Sequence, residues 1–239
     1  MMRLDRWLVT LGVGSRSQVQ KLIRQGAVTV DGAAVTDPST ACDEAHAALT
    51  LHRQPLDGRL VRHVMLHKPA GLLTAARDRK QPTVMDLLPA TYAAIGCMPV
   101  GRLDKDTTGL LLLSCDGEMN HRLLAPARHV DKTYLATVDQ PLTDADVRAF
   151  AQGLHLSDFD ALPAQLEIVS PTVGRVTVQE GKFHQVKRMF AAVGKEVVAL
   201  HRERFGPLAL DPALPCGQWR ELTDSELHAL RLAAQMEAP

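Results

Sequence analysis

The sequence lacks the features that mark a disulfide scaffold, a membrane segment or an exported chain. Its four cysteines are far apart and form no C-x-x-C pair, which argues against a disulfide framework and against a zinc site. No uncharged apolar run approaches the roughly 18 residues that a membrane-spanning helix needs. Asp5 and Arg6 interrupt any apolar core of a signal peptide. We therefore expect a cytoplasmic protein with reduced thiols.

Aromatic residues are also few, the chain has no net charge, and the usual cofactor motifs are absent. Two Tyr, two Trp and five Phe in 239 residues provide no broad platform on which several bases could stack. A hydrophobic content of 46% with no net charge excludes a disordered chain. The sequence has no G-x-G-x-x-G, P-loop or H-E-x-x-H motif, so dinucleotide, nucleotide and zinc-protease chemistry lose their usual markers. We expect neither a cofactor nor a metal.

Although the net charge is zero, the charged residues are distributed unevenly along the chain. Residues 1–30 carry five basic side chains and one acidic one, and residues 175–204 carry seven basic and three acidic ones. Residues 139–167 carry six acidic side chains and one basic one. Because local patches set the field near a binding face, a polyanionic partner such as nucleic acid remains open. Ordinary solvated helix faces are the simpler interpretation of any single cluster.

The pattern predicts a small N-terminal module. Residues 4–11 have apolar side chains at helical spacing, and a glycine-containing break follows at 12–14. Ser15 and Gln18 form a capping-box signal for a second helix. The dipeptide Asp31-Gly32 lies between short β-prone runs and predicts a hairpin. We expect a helix–turn–helix–hairpin module.

The pattern of predicted secondary structure changes near residue 60. Residues 37–62 contain Pro38, Pro55 and Gly58, and they are predicted to form poorly packed strands and a linker. This places a domain boundary between 1–60 and 61–239. In the second part, strands are predicted at 63–68, 110–114, 132–138, 164–170, 175–180 and 196–205, and helices at 143–153, 184–194 and 223–235. Because these elements interleave without a regular βαβ repeat, we expect an α+β domain with a mixed or mostly antiparallel sheet.

Residues 99–109 form a polar loop that leads into an apolar strand. Charged side chains directly before a buried strand are well placed to line a cleft. Asp104 and Asp106 allow a carboxylate pair for glycosidic chemistry, although such pairs normally come from distant segments. Spacing alone favours an Asp-rich turn in which Asp106 caps Thr108.

Two further segments have both a functional and a structural interpretation. In residues 184–193, Lys187 and Arg188 lie near the N-terminal half of a predicted helix, where cations oppose the helix dipole unless an anion offsets them. That anion is either a phosphate or a buried carboxylate, and a solvated Lys-Arg pair is the simpler alternative. Tyr134 lies on a predicted strand, where a single tyrosine is more often a core residue than a ligand contact.

Together these segments resemble a known family. The matching stretches PVGRLDKDTTGLLLL, DKTYLATV, EGKFHQVKRMF and VVALHRERFG are similar to those of bacterial ribosomal small-subunit pseudouridine synthases of the RsuA type. Residues 2–35 resemble the S4-like RNA-binding domain of such enzymes, and residues 64–75 resemble the opening strand, with His67 where Asn is more usual. The resemblance implies a small S4-like domain and a catalytic domain with the pseudouridine synthase fold.

The resemblance also implies roles for individual residues. Asp104 corresponds to the catalytic aspartate, Tyr134 to the tyrosine that packs on the target uracil, and Lys187 to the basic residue paired with the aspartate. Leu200 corresponds to an apolar residue against the base, and Arg102 to a residue near the vacated base stack. The basic segments add a set of expected RNA contacts: Arg188, Arg16, Lys21 and Arg24.

The implied function is isomerisation of one uridine to pseudouridine in 16S ribosomal RNA. We expect a monomer, because the sequence contains no recognisable oligomerisation motif. A carboxylate beside C1′ can act as nucleophile or as anion, and a nearby cation favours its charged form. The same chemistry on 23S RNA and a non-catalytic role in ribosome assembly are the alternatives.

Overall fold

The computed structural model describes residues 1–236, which fall into two compact units. Residues 1–62 and 88–97 form the N-terminal unit. His63–Leu87 and the residues from Met98 onward form the second unit. The segment 88–97 therefore belongs with the N-terminal unit. A single boundary near residue 60 does not separate the two units completely.

Most of the elements are short in the N-terminal unit and longer in the second. The strands are β1 (Met2–Arg3), β2 (Val28–Val30), β3 (Ala33–Ala34), β4 (Ala41–Cys42), β5 (Leu49–Leu51), β6 (Gln54–Leu56), β7 (His63–Lys68), β8 (Met98–Pro99), β9 (Thr108–Ser114), β10 (Lys132–Val138), β11 (Leu154–His155), β12 (Asp160–Ala161), β13 (Gln165–Ser170), β14 (Val173–Val178), β15 (Val197–Phe205), β16 (Leu208–Ala209) and β17 (Trp219–Glu221). The α-helices are α1 (Leu4–Thr10), α2 (Arg16–Arg24), α3 (Ala90–Ala94), α4 (Gly117–Leu124), α5 (Asp144–Gln152), α6 (Gln185–Ala192) and α7 (Asp224–Ala233). No helix within residues 1–236 is long and apolar enough to cross a membrane.

The N-terminal unit confirms the predicted helix–turn–helix–hairpin. The Ser15 side chain and the Gln18 side chain form the reciprocal capping box at the start of α2. Asp31 and Gly32 both have positive φ, at 51° and 82°, as a type I′ turn between two strands requires. The helices and strands enclose a core that is centred on the fully buried Trp7.

The prediction of poor packing for residues 37–62 is wrong. Cys42 and Leu49 are each only 4% exposed and belong to the core around Trp7. Strand β5 lies between β2 and β6 in a four-stranded sheet. The Trp7 indole N–H donates to the Gly58 carbonyl at 2.8 Å, which holds the end of this segment. Pro55 is accommodated in β6 because an edge strand tolerates a missing N–H.

The second unit is built on one large mixed sheet, as predicted. Its strand order is β13-β14-β10-β15-β9-β7-β17, with β16 paired to β15 and β8 paired to β9. Strands β9 and β15 are parallel, and every other pair in this sheet is antiparallel. The order places β10, β15 and β9 side by side at the centre of the sheet.

The sheet is covered on both faces at its centre. Four successive leucines of β9, residues 110–113, are at most 1% exposed, and successive side chains of a strand point to opposite faces. One core cluster contains Leu110 and Leu112 with residues of α4 and α7. Phe150 of α5 and Phe190 of α6 pack with ring centroids 4.9 Å apart. The loop that precedes β9 is thus anchored to a strand with little freedom to move.

A close approach of two backbones fixes the start of β9. Gly109 has φ of +104° and pairs with Arg202 of β15. A Cβ atom at position 109 would lie 2.3 Å from the Arg202 carbonyl oxygen, so only glycine fits. This contact brings the loop at 102–107 beside β15. Because β10 is the next strand of the sheet, the loop also lies near β10.

Candidate active site

A cleft opens where the loop before β9 meets β10, β15 and the start of α6. It is lined by residues from each of these elements: Arg102, Leu103, Asp104, Thr107, Tyr134, Val178, Glu180, Gly181, Lys182, His184, Gln185, Val186 and Leu200. The structure therefore brings together Arg102, Asp104, Tyr134 and Leu200 from segments that are far apart in the sequence. All of the lining residues belong to the second unit.

Asp104 lies between two basic side chains. His184 Nε2 is 3.4 Å from Asp104 Oδ1, and Lys187 Nζ is 3.6 Å from Asp104 Oδ2. The Asp104 side chain is 26% exposed, so it is accessible from the cleft. Sequence reasoning paired Lys187 with Asp104 but assigned nothing to His184, which stands at the N-terminal end of α6.

Lys187 contacts a second carboxylate more closely. Its ammonium donates to both oxygens of Asp106, at 2.7 and 2.8 Å. This hydrogen bond holds the pKa of Asp106 below its ordinary value. The interpretation of Asp106 as a cap for Thr108 is therefore wrong, because its carboxylate turns to α6 instead. Asp104 and Asp106 therefore share the Lys187 ammonium, and both carboxylates help to orient it.

The loop that carries Asp104 is held from below by Lys68, which sequence reasoning missed. Lys68 is fully buried at the end of β7. Its ammonium donates to the carbonyls of Lys105 and Thr107 at 3.2 and 2.9 Å, and to that of Pro69 at 3.0 Å. Burial lowers the pKa of Lys68 to about 8, although Asp106 and Asp104 oppose this shift. The sequence did contain a signal for this role, because Lys68 ends an apolar strand directly before a proline.

Lys68→Met should destabilise the second unit. The Pro69 and Thr107 carbonyls lose this donor, whereas the Lys105 carbonyl still accepts from the Gly71 N–H. Each unsatisfied buried acceptor costs about 1–3 kcal/mol. Between about pH 8 and 10.5 the unfolded state binds more protons than the folded state, so the Lys68 contribution to the free energy of unfolding rises with pH. The stability difference between the wild-type protein and the variant should therefore grow across this range. Urea titrations below, within and above it measure the difference, and a constant value would contradict the account.

Tyr134 and Leu200 form an apolar wall opposite the carboxylate. They are 8% and 7% exposed and lie on the neighbouring strands β10 and β15. The guanidinium of Arg202, which pairs with Tyr134 in register, is 6.0 Å from the centroid of the tyrosine ring. Arg202 is 1% exposed and donates from Nε to the Leu110 carbonyl at 2.7 Å. This buried cation was also missed, and it fixes the far side of the tyrosine ring.

The cleft is narrow in this conformation. Its volume is about 60 Å³, whereas ligand pockets usually measure about 300–1,000 Å³. Arg102 and Lys182 are exposed at its edge, and His184 is partly exposed.

Arg188 has a different position from Lys187. Its guanidinium forms an ion pair with Asp158, donates to Ser157 Oγ at 3.1 Å and lies 4.9 Å above the Phe159 ring. It does not line the cleft around Asp104. The acidic residues 139–167 thus supply the partner that this cation needs on α6.

The three basic residues expected to contact RNA in the N-terminal unit lie on one helix. Arg16, Lys21 and Arg24 all belong to α2 and are exposed. Arg16 lies 3.6 Å from the fully buried carboxylate of Asp5, which also accepts two hydrogen bonds from Arg3. The hydrogen bond from Arg3 holds the pKa of Asp5 well below its ordinary range. Lys21 and Arg24 form no ion pair within residues 1–236.

The arrangement combines a carboxylate, two adjacent basic groups and an apolar wall. It can place an anion beside an electrophilic carbon while one face of a planar ring packs on Tyr134. Residues 1–236 contain no group of three or more His, Cys, Asp or Glu side chains arranged to hold a metal ion.

Comparison with known proteins agrees with this geometry. The sequence model of the family described as RNA pseudouridylate synthase matches residues 62–192, and that of the S4 domain matches residues 2–46. The chain is 44% identical to the ribosomal small subunit pseudouridine synthase A of Pseudomonas aeruginosa, covering 95% of this chain and 99% of that protein. It is 42% identical to the uncharacterized RNA pseudouridine synthase YtzG of Bacillus subtilis, covering 96% and 98%.

A solved structure shows the same architecture. The crystal structure of a pseudouridylate synthase has a TM-score of 0.68 to this chain at 36% identity, and the match covers 96% of this chain and 100% of the other. The family model spans the segments that carry Asp104, Tyr134 and Lys187. The chain belongs to the RNA pseudouridylate synthase family, and its N-terminal unit contains an S4 domain.

Proposed function

We propose that this protein isomerises a specific uridine of 16S ribosomal RNA to pseudouridine, with Asp104 as the catalytic carboxylate. The observation that carries the proposal is the position of Asp104, within 3.6 Å of Lys187 and opposite the Tyr134 and Leu200 wall. Similarity to small-subunit synthases over 95% of the chain supports the choice of RNA.

The reaction balances without a redox change. The N1–C1′ bond of uridine breaks, the uracil turns, and C5 bonds to C1′ while its proton leaves and N1 gains one. Asp104 supplies a carboxylate that acts at C1′ as nucleophile or as anion. Lys187 Nζ and His184 Nε2 lie 3.6 and 3.4 Å from its oxygens and can orient it.

The cleft also explains how the uracil is retained. Tyr134 packs against one face of the base, and Leu200 provides an apolar contact that excludes water. Because Asp104 lies inside a cleft, the uridine leaves its stack before the carboxylate reaches the sugar. In this proposal the enzyme acts as a monomer, and a ribosomal RNA substrate supports a cytoplasmic place of action.

The exposed residues of α2 provide RNA contacts in this proposal. Arg16→Gln, Lys21→Gln and Arg24→Gln together should reduce the slope of log affinity against log salt by roughly 2–3, because each phosphate contact contributes about 0.7–0.9. Arg53→Gln, on an exposed turn of the same unit, is the matched control. Filter binding over a salt series measures the slope. An unchanged slope in the triple variant would contradict the assignment.

Release of tritium from RNA labelled at uridine C5 tests the proposed reaction. Release from 16S RNA or small-subunit particles, with none from 23S RNA, is the expected result. Release from 23S RNA alone would retain the chemistry and overturn the substrate. Tight binding without release from any RNA would favour the assembly role.

A further inference from the structure

A second cavity lies on the other side of Asp104, outside the cleft that receives the uracil. Its volume is about 390 Å³, within the usual range for ligand pockets. Its walls are Leu73, Thr74, Ala75, Arg102, Leu103, Asp104, Lys105, Phe183 and His184. Arg102, Leu103, Asp104 and His184 also line the uracil cleft, so the two spaces are continuous around the carboxylate.

The chemistry of this cavity suits a nucleotide. Phe183 is 70% exposed, while Phe150, Phe190 and Phe205 are fully buried. An aromatic side chain left in solvent beside a catalytic cleft offers a stacking surface, and every base has a face that can use it. Arg102 and Lys105 supply positive charge at the rim, where a phosphate of the same strand would pass.

Phe183 is held in a fixed orientation. Its ring stacks on the imidazole of His184, with centroids 3.8 Å apart and planes inclined by 18°. His184 in turn lies 3.4 Å from Asp104. One face of the phenyl ring is therefore covered, and the high exposure of Phe183 leaves the other face open. Such a platform can order a base without losing much rotamer freedom on binding.

We infer that this cavity binds the base of a nucleotide directly adjacent to the target uridine, stacked on the open face of Phe183. The inference rests on the proposed function, because it places the target sugar at Asp104. With C1′ of the target nucleotide at Asp104, an adjacent nucleotide is within reach of the cavity, because Asp104 lines both spaces. Phe183 would then contribute to substrate selection without touching the reacting atoms.

A cycle of protein and RNA changes tests the stacking partner. The protein changes are Phe183→Ala and Phe183→Tyr, with Leu232→Ala on α7 as an exposed apolar control. The RNA changes are abasic sites at the nucleotide before the target, at the nucleotide after it, and at the target itself. Affinities are measured in an Asp104→Asn background so that the RNA stays unmodified. Single-turnover rates are measured with the active proteins.

Phe183→Ala should weaken binding of intact RNA by about 5- to 150-fold, whereas Phe183→Tyr and Leu232→Ala should not. One flanking abasic site should weaken binding to the Phe183 protein by a similar factor and add little to Phe183→Ala. Additive effects at both flanking positions would overturn the inference. Coupling to the target base alone would also overturn it, as would an unchanged affinity of Phe183→Ala. Failure of the wild-type protein to release tritium would count against the proposed function, independently of this cycle.

Discussion

Asp104→Asn should reduce pseudouridine formation by at least about 10⁴-fold while leaving RNA affinity within a few-fold of wild type. The amide keeps the size of the side chain but removes the negative charge that acts at C1′. Loss of an essential catalytic group typically has an effect of this order. Binding is preserved because most of the affinity for RNA comes from contacts with its backbone.

Asp106→Asn is the matched control, since it makes the same change two residues away. Asp106 is 73% exposed, and the Lys187 side chain that it shares with Asp104 is unchanged in this variant. This variant should keep activity within several-fold of wild type. Single-turnover tritium release and equilibrium binding measure both proteins. Near-normal turnover by Asp104→Asn, or equal losses in the two variants, would refute the assignment of Asp104.

Lys187→Gln should lower the rate of the chemical step by about 10²- to 10³-fold. Loss of one preorganised charged contact in an active site typically costs this much. Without the ammonium, Asp104 and Asp106 lose the cation that they share, and His184 stays as the basic group beside Asp104. The carboxylate that acts at C1′ is then less well oriented, so the loss should appear in the chemical step rather than in RNA affinity.

Two variants make this result interpretable. Lys187→Arg keeps the charge and should restore part of the rate. Arg188→Gln alters the next residue of α6, whose partner is Asp158, and should leave the rate within a few-fold of wild type. Single-turnover rates with saturating enzyme give the comparison. An unchanged rate for Lys187→Gln would contradict the role of this lysine beside Asp104.

Much of the fold follows from local patterns in the sequence. The predicted strand at 63–68 has the observed bounds of β7, and the predicted strand at 132–138 has those of β10. The capping box at Ser15 marks the start of α2 as predicted, and the helix predicted at 223–235 starts at a capping box on Thr223. Helix α4 was missed, although Asp116 accepts a hydrogen bond from the Met119 amide at its start. Its apolar stripe is short, and a strand pattern precedes it directly.

The site depends on long-range pairing, which local patterns do not encode. Asp104, Tyr134 and Leu200 come together because Gly109 allows β9 to lie parallel to β15. Family resemblance supplied the roles of these residues before the pairing was known. It did not indicate the buried Lys68 below the loop, the Arg202 guanidinium behind Tyr134 or the His184 imidazole beside Asp104. Those contributions come from burial and distance, and only the folded chain reveals them.

Mapping of pseudouridine in 16S and 23S RNA, after incubation with wild-type protein or Asp104→Asn, tests the central claim most directly. Naked transcripts and small-subunit particles should be compared, because either can be the substrate. The account predicts a single new position in 16S RNA that appears with the wild-type protein and is absent with the variant. The same new position with both proteins, or no new position in any RNA with the wild-type protein, would contradict it.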